Sequence, residues 1–187
     1  KPTIVIPLSG VDEDFFKQYF PNIPYKLVAN LPYYLTSVII RFFLESAHHP
    51  AMMVLMVQKE VAERIVALPP KANVLSVAVQ FYSHPEIITL VPKINFWPIP
   101  KVNSAVIRIT PHKKLPGKVD EKRFFRIVKA GFGERRKQLH NSLSGGLNLS
   151  DDTAKKLLTK SGITPDRRAQ TLTIAEWLKL YQNIEKL

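Results

Sequence analysis

Residues 51–57, AMMVLMV, form the longest unbroken apolar run in the 187-residue chain. Seven residues fall far short of the roughly 20 that a membrane-crossing helix needs, so no transmembrane segment is expected. The run also lacks the polar alternation of a strand with one wet face. It predicts a strand buried on both faces, the pattern of a parallel sheet covered by helices. Lys26–Ala29, Met52–Gln58, Ile87–Val91 and Ala105–Thr110 read as strands, each rich in apolar and β-branched residues. Between them, Thr36 is placed to cap a helix whose Ile39, Phe42, Phe43 and Ala47 share a face, with Pro50 ending it. A second helix, Glu60–Leu68, stops at Pro69-Pro70, and Leu75–Tyr82 fits either a strand or a helix. Strands interleaved with helices predict an α/β fold with a mostly parallel, doubly wound sheet.

The texture changes at Pro111–Gly117 (PHKKLPG), where two prolines, a glycine and two lysines cluster. A domain boundary is expected there, dividing the chain into residues 1–114 and 115–187. Past it the pattern is helical: a segment carrying Phe124, Phe125, Ile127 and Val128, then Asp151–Lys160, then Ile174–Ile184. That predicts a small all-helical second domain. No internal repeat is visible.

Charge and composition narrow the chemistry. Lys and Arg number 27 against 15 Asp and Glu, a net charge of +12 and a pI near 9.9. Such a chain attracts polyanions, nucleic acid ahead of an anionic membrane surface. With no cysteine there is no disulfide framework, thiolate metal site or cysteine nucleophile, and a reducing cytoplasm is the expected compartment. His48, His49, His84, His112 and His140 are scattered without metal-ligand spacing, so no metal is expected; neither a GxSxG nor a phosphate-binding P-loop is present. Lys1 is not a methionine, and Lys1–Gly10 has no secretory-signal pattern, so a fragment or processed chain is expected.

Asn30-Leu31-Pro32-Tyr33 directly follows a predicted strand, and the carboxyl ends of parallel strands are where such sheets place their chemistry. An asparagine side chain and a backbone carbonyl are both acceptors, able together to hold the two hydrogens of an exocyclic aromatic amine. Tyr33 offers a flat face for stacking a base. The alternative is a plain strand-end turn, with Asn30 bonding backbone and Pro32 setting φ. Gln58-Lys59-Glu60 also follows a strand; Glu60 and Glu63 read as first-turn acids that favour a helix N-terminus. Residues 118–137 hold eight Lys or Arg against three acids, a density that can track a phosphate backbone or simply face solvent.

Four ordered blocks, VANLPYYLTS, VQKEVAERI, FWPIPKVNSAVIRI and FGERRKQLHNSL, together resemble the ribosomal RNA adenine N6-dimethyltransferases, specifically the kasugamycin-sensitivity type that acts on small-subunit rRNA. The resemblance runs from about Tyr25 to the C-terminus. It implies a class I, Rossmann-like methyltransferase sheet followed by a small helical domain. It implies S-adenosylmethionine as methyl donor and N6-dimethylation of two adjacent adenosines, four methyl groups in all, by a monomer acting on the pre-small ribosomal subunit. Asn30 matches the residue that holds the adenine amine, with Leu31 and Pro32 adding backbone acceptors and Tyr33 stacking on the base; Asn30 and Leu31 also border the cofactor. Phe96, in the proline-stiffened loop FWPIP, matches the aromatic that closes on the other face of the extruded base. Lys101, Arg135, Arg136, Lys137, Arg167 and Arg168 are the implied RNA contacts. The family usually carries Asp where Asn103 stands.

The pattern breaks early in the chain. A class I methyltransferase holds its cofactor with a glycine-rich turn after the first strand and an acid after the second. Only Gly10 precedes Gly117, and Asp12, Glu13 and Asp14, which read as a helix start, are the only acids before Asn30. The sheet is therefore expected to be incomplete at its N-terminal side, with the cofactor bound weakly or not at all by this chain alone. Two rival readings stand beside the first: a non-catalytic RNA-binding or ribosome-assembly factor, and the macrolide-resistance branch that methylates large-subunit rRNA. The QKEVAER and PKVNSAV blocks favour the small-subunit branch.

Overall fold

The computed structural model describes residues 24–134 and 136–186. The expectations for Lys1–Gly10, for Asp12, Glu13 and Asp14, and for Arg135 lie outside the described residues. The chain divides into two compact units. One contains the described residues up to Ala62 together with Ser83–Pro111, and the other Glu63–Tyr82 with the chain from His112 onward. Glu63–Tyr82, which the sequence pattern places with the sheet, groups with the later helices.

The first unit is built on a four-stranded mixed sheet. Strand β1 (Lys26–Asn30) leads through a single 3-10 turn, Tyr33–Leu35, into helix α1 (Thr36–Glu45) and on to β2 (Met52–Gln58). Strands β3 (Ser83–Val91) and β4 (Ser104–Pro111) complete it, in the order β1-β2-β4-β3. β1 and β2 pair in parallel, whereas β4 runs antiparallel to both β2 and β3. The sheet is therefore not mostly parallel among the described residues. An alternating or solid apolar strand packs equally well beside either direction of neighbour, so the pattern carries no sign of orientation.

The run that predicted a doubly buried strand also resolves differently. Met53, Leu55 and Val57 are fully buried, while Met52, Val54 and Met56 on the opposite face are half-buried. Thr36 is the first residue of α1 rather than its cap: Leu35 occupies the cap position and no side-chain cap bond forms. Ile39 and Phe43 are buried as the helical spacing predicts, but the helix ends at Glu45, which leaves Ala47 beyond it and exposed.

The directions of the strands decide where the chemistry can sit. β1, β2 and β3 all run the same way, β3 by being antiparallel to a strand that is itself antiparallel to β2. Asn30, Gln58 and Val91 thus end their strands along one edge of the sheet. Ser104 begins β4 at that same edge, paired with both Gln58 and Val91.

The second unit is helical. Helix α2 (Lys59–Val66) contains the division between the units, and α3 (Val74–Tyr82) resolves the strand-or-helix ambiguity in favour of helix. Then come α4 (Glu121–Phe132), α5 (Leu139–Leu147), α6 (Asp151–Lys160) and α7 (Ile174–Ile184). Phe81 of α3 stacks on Phe124 of α4 with ring centroids 4.9 Å apart, and both are fully buried, as is Trp177. Caps fix several boundaries: Asp120 accepts from the Arg123 amide, Ser150 from Thr153, and Thr173 forms a reciprocal capping box with Glu176. Helix α5 is absent from the sequence reading because LHNSLSGGL lacks an apolar stripe and carries two glycines. The second of those glycines, Gly146, has a packing purpose. A Cβ on Gly146 would lie 2.5 Å from the Ala130 Cβ and 2.8 Å from its Cα, so α4 and α5 meet backbone to backbone there.

Gly146→Ala is therefore expected to destabilise the protein. The helix-propensity gain of about 0.5–1 kcal/mol is outweighed by roughly 1–3 kcal/mol of overpacking against backbone that cannot rotate away. Thermal unfolding checks this: the Tm should fall by several degrees, and a Tm equal to or above wild type would mean that the helices have room to separate.

Candidate functional site: an aromatic cavity at the strand-end edge

At the edge where the strands end, residues 30–33 meet the loop that joins β3 to β4. A cavity of about 420 Å³ opens between them, lined by Asn30, Leu31, Pro32 and Tyr33 from the end of β1 and by Phe96, Trp97, Pro98 and Pro100 from the loop. All the base-holding residues named from the sequence, Asn30, Leu31, Pro32, Tyr33 and Phe96, line this one space although some 60 residues separate the two segments. Leu31 is anchored: its side chain is buried and its amide donates to the Met56 carbonyl at 3.3 Å. The exposed Asn30 ends β1 and its side-chain amide makes no hydrogen bond among the described residues. Pro32 accepts the Leu35 amide at 2.9 Å, which starts the 3-10 turn and leaves the second lone pair of that carbonyl for another donor.

One contact joins the two walls, and a second closes the loop on itself. The Tyr33 hydroxyl lies 2.8 Å from the hydroxyl of Ser104, a fully buried residue at the start of β4. Asn103 closes the base of the loop, its Oδ1 accepting the Lys93 amide at 2.9 Å while its backbone carbonyl accepts the Lys59 amide at 3.0 Å. From the sequence, Asn103 stands where the family usually carries Asp, a change expected to remove a charge without abolishing the turn. Its Oδ1 is an acceptor in either residue, so the loop closure survives the change. Ser104 escaped sequence reasoning altogether, since a serine opening a strand carries no signal of its own.

The implied RNA contacts differ in how free they are. Lys101 is exposed on the cavity loop, and Arg136 and Arg168 are exposed in the helical unit. Lys137 lies 3.9 Å from Glu134, a loose surface pair. Arg167 is committed. Its guanidinium is half-buried, bonds both Glu176 oxygens, donates to Thr171 Oγ1 at 3.1 Å and also reaches the Thr171 carbonyl. It fastens the segment before α7 to that helix's capping box. The Arg167 guanidinium, followed by bonds from Thr173, holds the Glu176 carboxyl below the usual carboxylate range.

No group of three or more His, Asp or Glu side chains is placed to hold a metal among the described residues. No described helix is long and apolar enough to cross a membrane. For a nucleoside cofactor the fit is partial. No described residue before Gly117 is a glycine, so none of the strand ends at this edge carries the turn that lets backbone close on such a group. What these residues offer it is the end of β1, at Asn30 and Leu31.

Two outcomes are expected. Asn103→Ala should speed hydrogen exchange at the Lys93 amide by about two- to ten-fold, the worth of one hydrogen bond, while Asn103→Asp leaves it protected; equal exchange in both variants would remove the closure role. Glu176 has a folded pKa below its unfolded value of about 4.3, so its contribution is present above that value and lost as pH falls through the lower one. The difference in urea midpoint between wild type and Glu176→Gln should therefore be present at pH 6 and shrink progressively as the pH is taken below about 4.3. A difference that is constant with pH would contradict this.

Comparison with known proteins gives the architecture a lineage. The model of the ribosomal RNA adenine dimethylase family matches residues 6–186. The chain is 47% identical over 160 residues to ribosomal RNA small subunit methyltransferase A of Dehalococcoides mccartyi, covering 85% of this chain and 55% of that protein. It is also 47% identical to the protein of that name from Desulfitobacterium hafniense, over 86% of this chain and 58% of the relative. The chain thus spans a little over half the length of these curated relatives. Among solved structures, the 23S rRNA methyltransferase ErmE superposes with a TM-score of 0.68 at 21% identity, over 92% of this chain and 70% of that one. A dimethyladenosine transferase from Plasmodium falciparum superposes with a TM-score of 0.70 at 23% identity, over 91% and 70%. These two likenesses establish the class I methyltransferase fold with its helical C-terminal part. Taken with the match along nearly its whole length, they leave one conclusion: this chain belongs to the ribosomal RNA adenine dimethylase family.

Proposed function

We propose that the cavity is the adenine-binding part of an S-adenosylmethionine-dependent rRNA adenine N6-dimethyltransferase, acting on two adjacent adenosines of small-subunit rRNA during maturation of that subunit. The observation that carries this reading is the cavity itself, lined together by an asparagine amide that makes no hydrogen bond among the described residues, a carbonyl with one lone pair left over, and the aromatic side chains of Tyr33, Phe96 and Trp97. A flat heterocycle with an exocyclic amine suits it. Tyr33 and Phe96 stack on the faces of the extruded base, Asn30 Oδ1 accepts one N6 hydrogen and the Pro32 carbonyl accepts the other. With both hydrogens held, the nitrogen lone pair is directed away from them and toward the methyl donor. S-adenosylmethionine, when bound, supplies an electrophilic methyl group, so positioning does most of the work. The nitrogen loses its proton as the new bond forms. The cavity is open to solvent, which gives that proton a path to water without a dedicated base.

Support for the small-subunit branch comes from the two relatives above, far more similar in sequence than the 23S enzyme. The net charge of +12 and the exposed Lys101 suit a polyanionic RNA partner. A second reading, RNA binding without catalysis, is favoured by the lack of a glycine turn at the strand ends among the described residues.

Methyl transfer from labelled S-adenosylmethionine to unmethylated small subunits, by a protein that carries this chain within the full length of its relatives, separates the two, alongside RNA affinity. The expected result for Asn30→Ala is a loss of turnover of about 100-fold with affinity changed less than about two-fold. Equal losses in both would remove the amine-holding role of Asn30. RNA binding without any turnover in the wild type would favour the second reading.

A further inference from the structure

Trp97 is 94% exposed, a large apolar ring left almost wholly in water at the mouth of the cavity. Single exposed apolar residues are ordinary on protein surfaces, but this one has company. Tyr34 at 84%, Ile94 at 73% and Ile99 at 57% are exposed in the same two segments that form the cavity. The loop holding Trp97 is also fixed in place, closed at its base by Asn103 and stiffened by Pro98 and Pro100. An indole held rigidly in solvent is a surface ready for a flat partner. Trp97 directly follows Phe96, and both line the cavity. Lys93 and Lys101 flank the loop, both exposed and without a carboxylate partner among the described residues.

We propose that Trp97 is a second stacking platform, which holds the nucleobase next to the one in the cavity while Lys93 and Lys101 meet the connecting phosphates. The inference rests on the cavity taking a base, as proposed above, and adds a subsite for its neighbour. Stacking of this kind tolerates any base, so the platform holds the strand without reading its sequence. Two bases gripped on adjacent rings suit a substrate in which consecutive nucleotides take the cavity in turn.

The test is a double-mutant cycle on the chain with short single-stranded RNA. The probes are an octamer of uridines with one central adenosine, and the same octamer with an abasic nucleotide on the 5′ or the 3′ side of the adenosine. Trp97→Ala should weaken binding of the intact octamer about ten-fold and have little effect on one of the two abasic probes, whereas Trp97→Phe should retain most of the affinity. The same titration has an optical readout, because the only other tryptophan, Trp177, is fully buried. Indole emission should be quenched by the intact octamer in the wild type, and the quenching should vanish in Trp97→Phe although binding persists. A Trp97→Ala loss that is equal on all probes, or absent on the intact octamer, overturns the proposal. An abasic substitution at the adenosine itself tests the cavity separately. If that change costs nothing while the cycle still couples Trp97 to a base, the cavity reading fails and the platform stands.

Discussion

A pair of hydroxyls, Tyr33 and Ser104, 2.8 Å apart, joins segments that lie 71 residues apart in the chain. Ser104 is fully buried, where an unpaired hydroxyl would be costly, so the contact satisfies a group that has no access to water. Ser104 also opens β4 and pairs with the last residues of both β2 and β3. The register of the sheet therefore sets where the hydroxyl stands. Through Tyr33 it sets the attitude of the turn after β1. A slip of one residue in β4 would turn Ser104 to the other face and leave Tyr33 without its anchor. Asn103, one residue earlier, does the same for the opposite wall by holding the Lys93 amide. Adjacent residues at one strand start thus anchor the turn after β1 and close the loop that faces it.

This dependence explains which parts were legible in the sequence. Met52–Gln58, Asp151–Lys160 and Ile174–Ile184 emerge with the boundaries the pattern predicts, because apolar spacing and caps such as Ser150 and Thr173 are local signals. Sheet order is different. That β4 inserts between β2 and β3, antiparallel to both, follows from pairing over long separations, and no period-2 pattern encodes it. Helix α5 was hidden for a related reason. Its glycines look like breakers, and the closeness of Ala130 explains one of them, Gly146. In the site, the Asn30–Tyr33 motif and the Phe96 loop each suggest chemistry alone, but nothing in their spacing brings them together. Family resemblance proposed the meeting, and the fold supplies a cavity where it occurs.

Charge was the least legible feature. A run of lysines and arginines has the same appearance whether its members face a ligand or each other. Arg167 and Arg168 are neighbours in sequence, yet Arg167 is held by Glu176 and Thr171 while Arg168 stands exposed. The partner of Arg167 lies nine residues ahead and comes within reach only because the chain turns back before α7. A guanidinium so engaged would have to give up a charge-assisted network to bind phosphate, which makes it a poor electrostatic contact and a good structural one. Its exposed neighbour is then presented by a loop already fastened, so the ion pair and the exposed cation are two parts of one arrangement.

The same distinction between fixed and free groups bears on base selection under the proposed reading. An asparagine amide can rotate to present either its oxygen or its NH₂, so Asn30 alone discriminates weakly between an amine and a carbonyl on the base. The Pro32 carbonyl has no such freedom. It is a backbone acceptor held by the turn that starts at Tyr33, with one lone pair already bonded to the Leu35 amide. A base that brings an oxygen to this position, as guanine or uracil does, would set two acceptors against each other in a partly desolvated space. Adenine brings a donor. Cytosine also brings one, but its single ring fills less of the gap between Tyr33 and Phe96 and forfeits stacking on both faces. Selection for adenine would then come from two constraints of different origin: an acceptor that cannot invert, and the larger face that a two-ring base offers to Tyr33, whose hydroxyl the start of β4 anchors.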